Sequence, residues 1–134
     1  MSTSARQPKI LLVEDDQDSR EMLAELLTQL GCAVRSAATG EEALALVVER
    51  PDVVIIDVGL PDLPGSEVAR RVRSIHGATT RLIAATGYSS GSSFEDVLTA
   101  EFDEILTKPV TFDVWKRVVV ELQEDQGTPS AGPT

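Results

Sequence analysis

Residues 53–57 read VVIID, four consecutive apolar residues followed by an acid. An unbroken apolar run of this length, rich in β-branched side chains, is typical of a strand that a sheet buries on both faces. Residues 10–13 (ILLV) and 82–85 (LIAA) have the same character. Because helical patterns separate these runs, the sequence predicts a parallel sheet with helices packed on both sides.

Two more polar strands complete the predicted sheet, at 33–37 and 104–107, each suited to an edge. Apolar stripes at helical spacing predict helices over Ser19–Leu30, from a Thr39–Glu42 capping box to Val48, along Val68–Ile75, after a Ser92–Glu95 cap, and along Val114–Leu122. A (β/α)₈ barrel needs about 250 residues, far more than the 134 present. The predicted fold class is therefore α/β, an open, doubly wound, five-stranded parallel sheet with five helices.

The chain is strongly acidic, with a formal net charge of −10. Nucleic-acid binding depends on Lys and Arg that neutralise phosphates, and anionic membrane surfaces also attract basic residues. The sequence therefore predicts no direct nucleic-acid binding and no membrane partner. Cations and basic protein surfaces remain open as partners.

The predicted domain covers residues 9–122, with a flexible N-terminal segment at 1–8 and a flexible tail or linker at 123–134. No apolar run approaches the ~18 residues of a membrane span, and the start of the chain lacks the apolar segment of a signal peptide. We therefore expect a cytoplasmic protein. Cys32 is the single cysteine, so it is expected to be a small apolar residue beside a helix end.

Polar side chains follow four of the five predicted strands. Glu14 and Asp15 follow the first, Asp57 ends the third, Thr86 follows the fourth, and Lys108 follows the fifth. In an open parallel sheet, ligands bind at the carboxyl ends of the strands. If the strand order is 2-1-3-4-5, these four strands are neighbours, and the side chains converge on one edge.

Close carboxylates repel one another unless a cation offsets their charge. Magnesium binds few carboxylates, keeps several waters and favours phosphate oxygens, whereas zinc prefers the histidine and thiol ligands that are missing here. We expect Mg²⁺, with Mn²⁺ as a plausible substitute, on Asp15, Glu14 and Asp57. The backbone carbonyl of Gly59 would add a neutral ligand.

Asp57 is the one acid at the end of a central strand, which makes it the candidate nucleophile for forming an acyl phosphate. Such a transfer depends mostly on positioning and charge neutralisation. Lys108 would pair with Asp57 before transfer and with the phosphoryl oxygens afterwards. The Thr86 hydroxyl would donate a hydrogen bond to the phosphoryl group.

Five short motifs, each at a strand end or in the turn that follows it, resemble the receiver domain of two-component response regulators. They are V-E-D-D (13–16), I-D-V-G-L-P (56–61), P-G (64–65), A-T-G (85–87) and T-K-P (107–109). The resemblance runs from about residue 9 to residue 121, and the turn after Asp57 is closest to receivers attached to hybrid histidine kinases.

The resemblance implies a flavodoxin-like fold with strand order 2-1-3-4-5 and a cis peptide bond before Pro109. It also implies a phosphohistidine donor on a sensor histidine kinase or histidine phosphotransfer protein. Such a domain is no enzyme beyond catalysing its own phosphorylation and slow dephosphorylation. A homodimer through the face of strands 4 and 5 is left open.

The sequence departs from the family pattern at several positions. Glu14 stands where many members have Asp, and its extra methylene favours a metal contact through water. Ile105 occupies the place of a common switch aromatic, and Tyr88 is a candidate to lie over the site instead. Glu101 replaces a common glycine. The consequence of phosphorylation is therefore harder to predict than the phosphorylation itself.

Two other functions share these features. An aspartate-nucleophile phosphohydrolase also uses a strand-end Asp and Mg²⁺, but Val58-Gly59 provides no second acid two residues after Asp57. A binding module that signals without phosphorylation would have no need of Asp57, Thr86 and Lys108 together. A dinucleotide site is excluded because no G-x-G-x-x-G follows the first strand.

Overall fold

The computed structural model describes residues 7–57, 60, 62–87 and 102–127. Within these residues, five strands form one parallel sheet, β1 (Lys9–Val13), β2 (Ala33–Ala37), β3 (Val53–Asp57), β4 (Arg81–Thr86) and β5 (Glu104–Thr107). Their order is β2-β1-β3-β4-β5. The predicted fold class, strand order and edge positions of the second and fifth strands are confirmed.

The same residues contain four α-helices, α1 (Gln17–Gln29), α2 (Gly40–Leu46), α3 (Gly65–His76) and α4 (Phe112–Gly127). Short 3₁₀ turns follow α2 at Val47–Glu49 and α3 at Gly77–Thr79. The helix expected after the Ser92–Glu95 cap lies outside the described residues. The last helix continues past Leu122, where the apolar stripe ends.

Two apolar layers form the core, one on each face of the sheet. Alternate side chains of a strand point to opposite faces, so Ile10 belongs to the layer that contains Leu27 and Trp115, and Leu11 to the layer that contains Val68. Burying a side chain of this size contributes roughly 1.5–3 kcal/mol. This double burial explains why the central strands are continuously apolar.

The loop after β3 is attached to the start of α2. The Asp62 carboxylate accepts hydrogen bonds from the backbone N–H of Gly40 at 2.8 Å and of Glu41 at 3.0 Å. These bonds lower the pKa of Asp62, that from Gly40 most. Two of the free N–H groups of the helix end are satisfied from outside the helix. The contact therefore anchors the segment that follows Asp57.

The predicted capping box at the start of α2 is present in a shifted form. The Thr39 hydroxyl accepts a hydrogen bond from Glu42 N–H at 3.1 Å, while the Glu42 carboxylate accepts from Ala38 N–H at 2.8 Å. The Glu42 carboxylate thus accepts from the residue before the N-cap rather than from the N-cap itself. No helix among the described residues is long and apolar enough to cross a membrane.

Candidate functional site

The sheet register brings the carboxyl ends of four strands together. Val13 pairs with Ile56, Asp57 with Ala85, and Thr86 with Thr107. The residues that follow these pairs therefore lie at one edge of the sheet, as the strand-end pattern predicted.

Among the described residues, three carboxylates gather at this edge. One oxygen from each of Glu14, Asp15 and Asp57 lies within 4.8 Å of the others. Glu14 is buried at 6% exposure, Asp15 is exposed and Asp57 is half-buried. An all-oxygen acidic set with one open side suits a hard cation that keeps part of its water shell, so the residues fit Mg²⁺ or Mn²⁺.

Lys108 reaches this cluster from the end of β5. Its Nζ lies 3.0 Å from Glu14 Oε1 and 3.5 Å from Asp57 Oδ1. Partial burial pulls the pKa of Lys108 down, but the hydrogen bond to Glu14 and the charges of Asp57 and Glu14 outweigh it, so the pKa is raised. The ammonium is therefore charged at neutral pH and offsets part of the acidic charge.

The remaining strand-end residues are positioned by the backbone. Thr86 is 1% exposed at the end of β4, and its carbonyl accepts a hydrogen bond from Lys108 N–H at 2.8 Å. The Lys108–Pro109 peptide bond is cis, as the resemblance implied. Gly59, Tyr88 and Glu101 lie outside the described residues.

Ile105 is half-buried and packs on Ala84, the residue that it pairs with across β4 and β5. Phe102 contacts the same small cluster. An aliphatic side chain thus fills the position where many receivers carry an aromatic ring.

A cavity of about 460 Å³ opens beside the carboxylates. The buried side chains of Leu12 and Ile55 line its inner wall, and Glu14, Asp57 and Lys108 form its polar part. Another side is formed by α1 and the start of α4, through Met22, Val110 and Trp115. The cavity gives the acidic cluster access to solvent and places the single tryptophan beside it.

Sequence reasoning missed the guanidinium of Arg20, a cation beside the site. The Arg20 guanidinium, in the first turn of α1, donates from Nη1 to the backbone carbonyls of Glu14 at 3.0 Å and Asp15 at 3.3 Å. No side-chain pattern identifies such a contact, because its acceptors are backbone oxygens. The one available cue is an arginine shortly after an acidic strand end.

Asp16 also belongs to the local structure of this loop. It is the N-cap of α1, and its carboxylate accepts a hydrogen bond from Ser19 N–H at 2.9 Å, which lowers the pKa of Asp16. Its own N–H donates to Glu14 Oε2 at 3.2 Å. Asp16 therefore serves the start of the helix.

The fold and the strand-end acidic cluster with Lys108 fit a signalling receiver domain. A model of the family described as "Response regulator receiver domain" matches residues 10–119. The chain belongs to this family.

A transcriptional regulatory protein and a sensor histidine kinase are both similar to the chain. It is 36% identical to the transcriptional regulatory protein AfsQ1 of Streptomyces coelicolor, over 92% of this chain and 56% of that protein. It is 31% identical to the sensor histidine kinase RcsC of Salmonella typhimurium, over 86% of this chain and 12% of the kinase. The BeF3-activated DrrB receiver domain has a similar structure, with a TM-score of 0.78 and 32% identity, covering 89% of this chain and 99% of that one. The chain thus spans about half of AfsQ1 and a small part of RcsC, and the second match agrees with the predicted likeness to hybrid-kinase receivers.

Proposed function

We propose that Asp57 is the phosphoryl acceptor of this receiver domain. The observation that carries the proposal is the position of its carboxylate, which is half-buried at the end of a central strand. It lies within 4.8 Å of the acidic pair that follows β1 and 3.5 Å from the Lys108 ammonium. A carboxylate in this place is held by the sheet and faces an open cavity. Positioning and charge neutralisation are what phosphoryl transfer requires of a protein.

The donor in this proposal is a phosphohistidine on a sensor histidine kinase or histidine phosphotransfer protein. An Asp57 oxygen attacks the phosphorus, the new P–O bond forms as the P–N bond breaks, and the imidazole leaves as a neutral ring after taking up a proton. The Lys108 ammonium then pairs with the phosphoryl oxygens. The Thr86 hydroxyl donates a hydrogen bond to one of them.

The metal ligands in this proposal are Asp15 and Asp57, with the Gly59 carbonyl as a neutral ligand. Glu14 would contact the ion through a water molecule, because Lys108 pairs with its Oε1 atom. A bound Mg²⁺ or Mn²⁺ would neutralise charge on the transferring phosphoryl group. The protein residues hold the carboxylates in place and supply Lys108 and Thr86 as further donors.

The output of the proposed reaction is a change in partner preference around β4 and β5. New anionic oxygens at Asp57 attract Lys108 and Thr86, which lie at the ends of these strands. A homodimer through this face belongs to the same proposal. Direct nucleic-acid binding is not part of the proposal, because the net charge is −10.

We also propose a cytoplasmic location, where ATP-dependent kinases generate phosphohistidine.

Incubation with acetyl phosphate and MgCl₂, followed by intact-mass spectrometry, tests this proposal. The wild-type chain should gain one phosphoryl group, and Asp57→Asn should gain none. Asp52→Asn is a matched control, because Asp52 lies just before the same strand, where its carboxylate accepts a hydrogen bond from Lys9 N–H at 2.7 Å. Equal labelling of the wild type and Asp57→Asn would contradict the assignment.

The phosphohydrolase alternative makes a different kinetic prediction. An enzyme would turn over many equivalents of a generic phosphoester such as p-nitrophenyl phosphate, with Mg²⁺ and with loss of activity in Asp57→Asn. The receiver proposal predicts at most slow release of phosphate that the chain itself has accepted. A binding module that needs no phosphorylation would show neither label nor turnover.

A further inference from the structure

The Arg20 side chain binds the backbone of the acidic loop. A single nitrogen, Nη1, lies 3.0 Å from the carbonyl oxygen of Glu14 and 3.3 Å from that of Asp15. These two consecutive residues provide two of the three clustered carboxylates. Arg20 thus contacts the backbone of the residues whose side chains form the site.

Other contacts hold the two ends of the same loop. Glu14 N–H donates to Ala37 O at 3.0 Å, which continues the pairing of β1 with β2. At the other end, the Asp16 carboxylate accepts from Ser19 N–H at 2.9 Å. Arg20 acts between these anchors, at the peptide units that set the directions of the Glu14 and Asp15 side chains.

We propose that Arg20 is a positioning residue for the metal-binding carboxylates. By fixing both carbonyls it holds the Glu14 and Asp15 carboxylates near Asp57, so a cation meets an arranged set rather than a mobile loop. This inference rests on the proposed function, because it assumes that the cluster binds Mg²⁺. Residues that orient metal ligands without touching the metal typically change metal affinity by about 10- to 100-fold when they are replaced.

The positive charge of Arg20 and its hydrogen bonds should change the Mg²⁺ affinity in opposite directions. Arg20 is a cation near a cation site, so loss of its charge alone should tighten Mg²⁺ binding. Loss of its hydrogen bonds should weaken binding if Arg20 positions the loop. The two effects predict opposite results for the same neutral substitution.

Magnesium titration of Arg20→Gln, Arg20→Lys and wild type separates these effects. Trp115, the single tryptophan, lines the cavity with Asp57 and provides a fluorescence signal. Arg20→Gln should weaken Mg²⁺ binding by about 10-fold, and Arg20→Lys, which keeps the charge and can reach one carbonyl, should lose less. Arg70→Gln is the control, because Arg70 lies on α3, where it forms an ion pair with Glu67 at 3.8 Å. Unchanged or tighter binding by Arg20→Gln would overturn the inference.

Amide hydrogen exchange in Mg²⁺-free buffer provides a second readout. Arg20→Gln and Arg20→Lys should speed exchange at Asp15 and Asp16, while the amides of β3 keep their wild-type protection. Unchanged exchange at both residues would overturn the positioning role, even in a protein that binds no Mg²⁺. Wild-type protein that neither binds Mg²⁺ nor accepts phosphate would instead refute the proposed function, so the two failures are distinguishable.

Discussion

Lys108 lies closer to Glu14 than to Asp57. The distances from its Nζ are 3.0 Å to Glu14 Oε1 and 3.5 Å to Asp57 Oδ1. The second Glu14 oxygen accepts the N–H of Asp16 at 3.2 Å. Both carboxylate oxygens of Glu14 therefore have partners within the protein, and a metal ion must compete with Lys108 for Oε1.

This competition predicts coupling between Glu14 and Lys108 in Mg²⁺ binding. Glu14→Gln should weaken binding by less than about 3-fold while Lys108 is present, and by about 10-fold or more in a Lys108→Met background, where Glu14 is released. Trp115 fluorescence titrations of the wild type, the two single variants and the double variant measure the loss of Mg²⁺ affinity in each background. Equal costs in the two backgrounds would mean that Glu14 serves the metal independently of Lys108.

The Asp62 contact with α2 predicts a pH-dependent stability. Since the folded pKa of Asp62 is lowered by its hydrogen bonds to Gly40 and Glu41, the stabilisation is fully present above the unfolded pKa of about 4. It is lost as the pH falls through the lower folded value. Asp62→Asn should lower the urea midpoint at pH 7, and its difference from wild type should shrink below about pH 4.

Asp113→Asn is the control for this experiment, since Asp113 is an exposed acid in the first turn of α4. Its midpoint should follow that of the wild type more closely at every pH. A difference between Asp62→Asn and wild type that persists unchanged at pH 3 would show that the carboxylate charge is not what stabilises the loop.

Cys32 should be unreactive in the folded protein. It is 1% exposed, and burial raises the pKa of its thiol to about 11. The thiolate is the reactive form, so at pH 8 a thiol pKa of about 11 lowers the thiolate fraction about 100-fold. Iodoacetamide labelling, followed by mass spectrometry, should be at least that much slower in buffer than in 6 M urea. Similar rates in both conditions would contradict the buried position.

The fold and the acidic site followed from the sequence because both depend on the strands. Continuous apolar runs identify β1, β3 and β4 as buried, and parallel strands bring their following residues to one edge. Asp57 and Lys108 could therefore be placed together, although they are far apart in the chain.

The contacts that hold the loops did not follow from the sequence. Arg20 binds backbone carbonyls, which no side-chain pattern identifies. Asp62 caps a helix whose first two residues precede it by more than twenty positions, so that contact has no local pattern. The end of α4 was also missed, because an apolar stripe records burial and stops at Leu122, while polar helix-forming residues continue the helix to Gly127.

The most direct test of the central claim locates the phosphoryl group on the chain. Protein treated with acetyl phosphate and Mg²⁺ is reduced with borohydride, which converts an aspartyl phosphate to homoserine, and is then sequenced by tandem mass spectrometry. We expect homoserine at position 57 and unmodified aspartate at positions 15, 16 and 62. Homoserine at another acidic position, or a labelled protein with Asp57 unchanged, would contradict it.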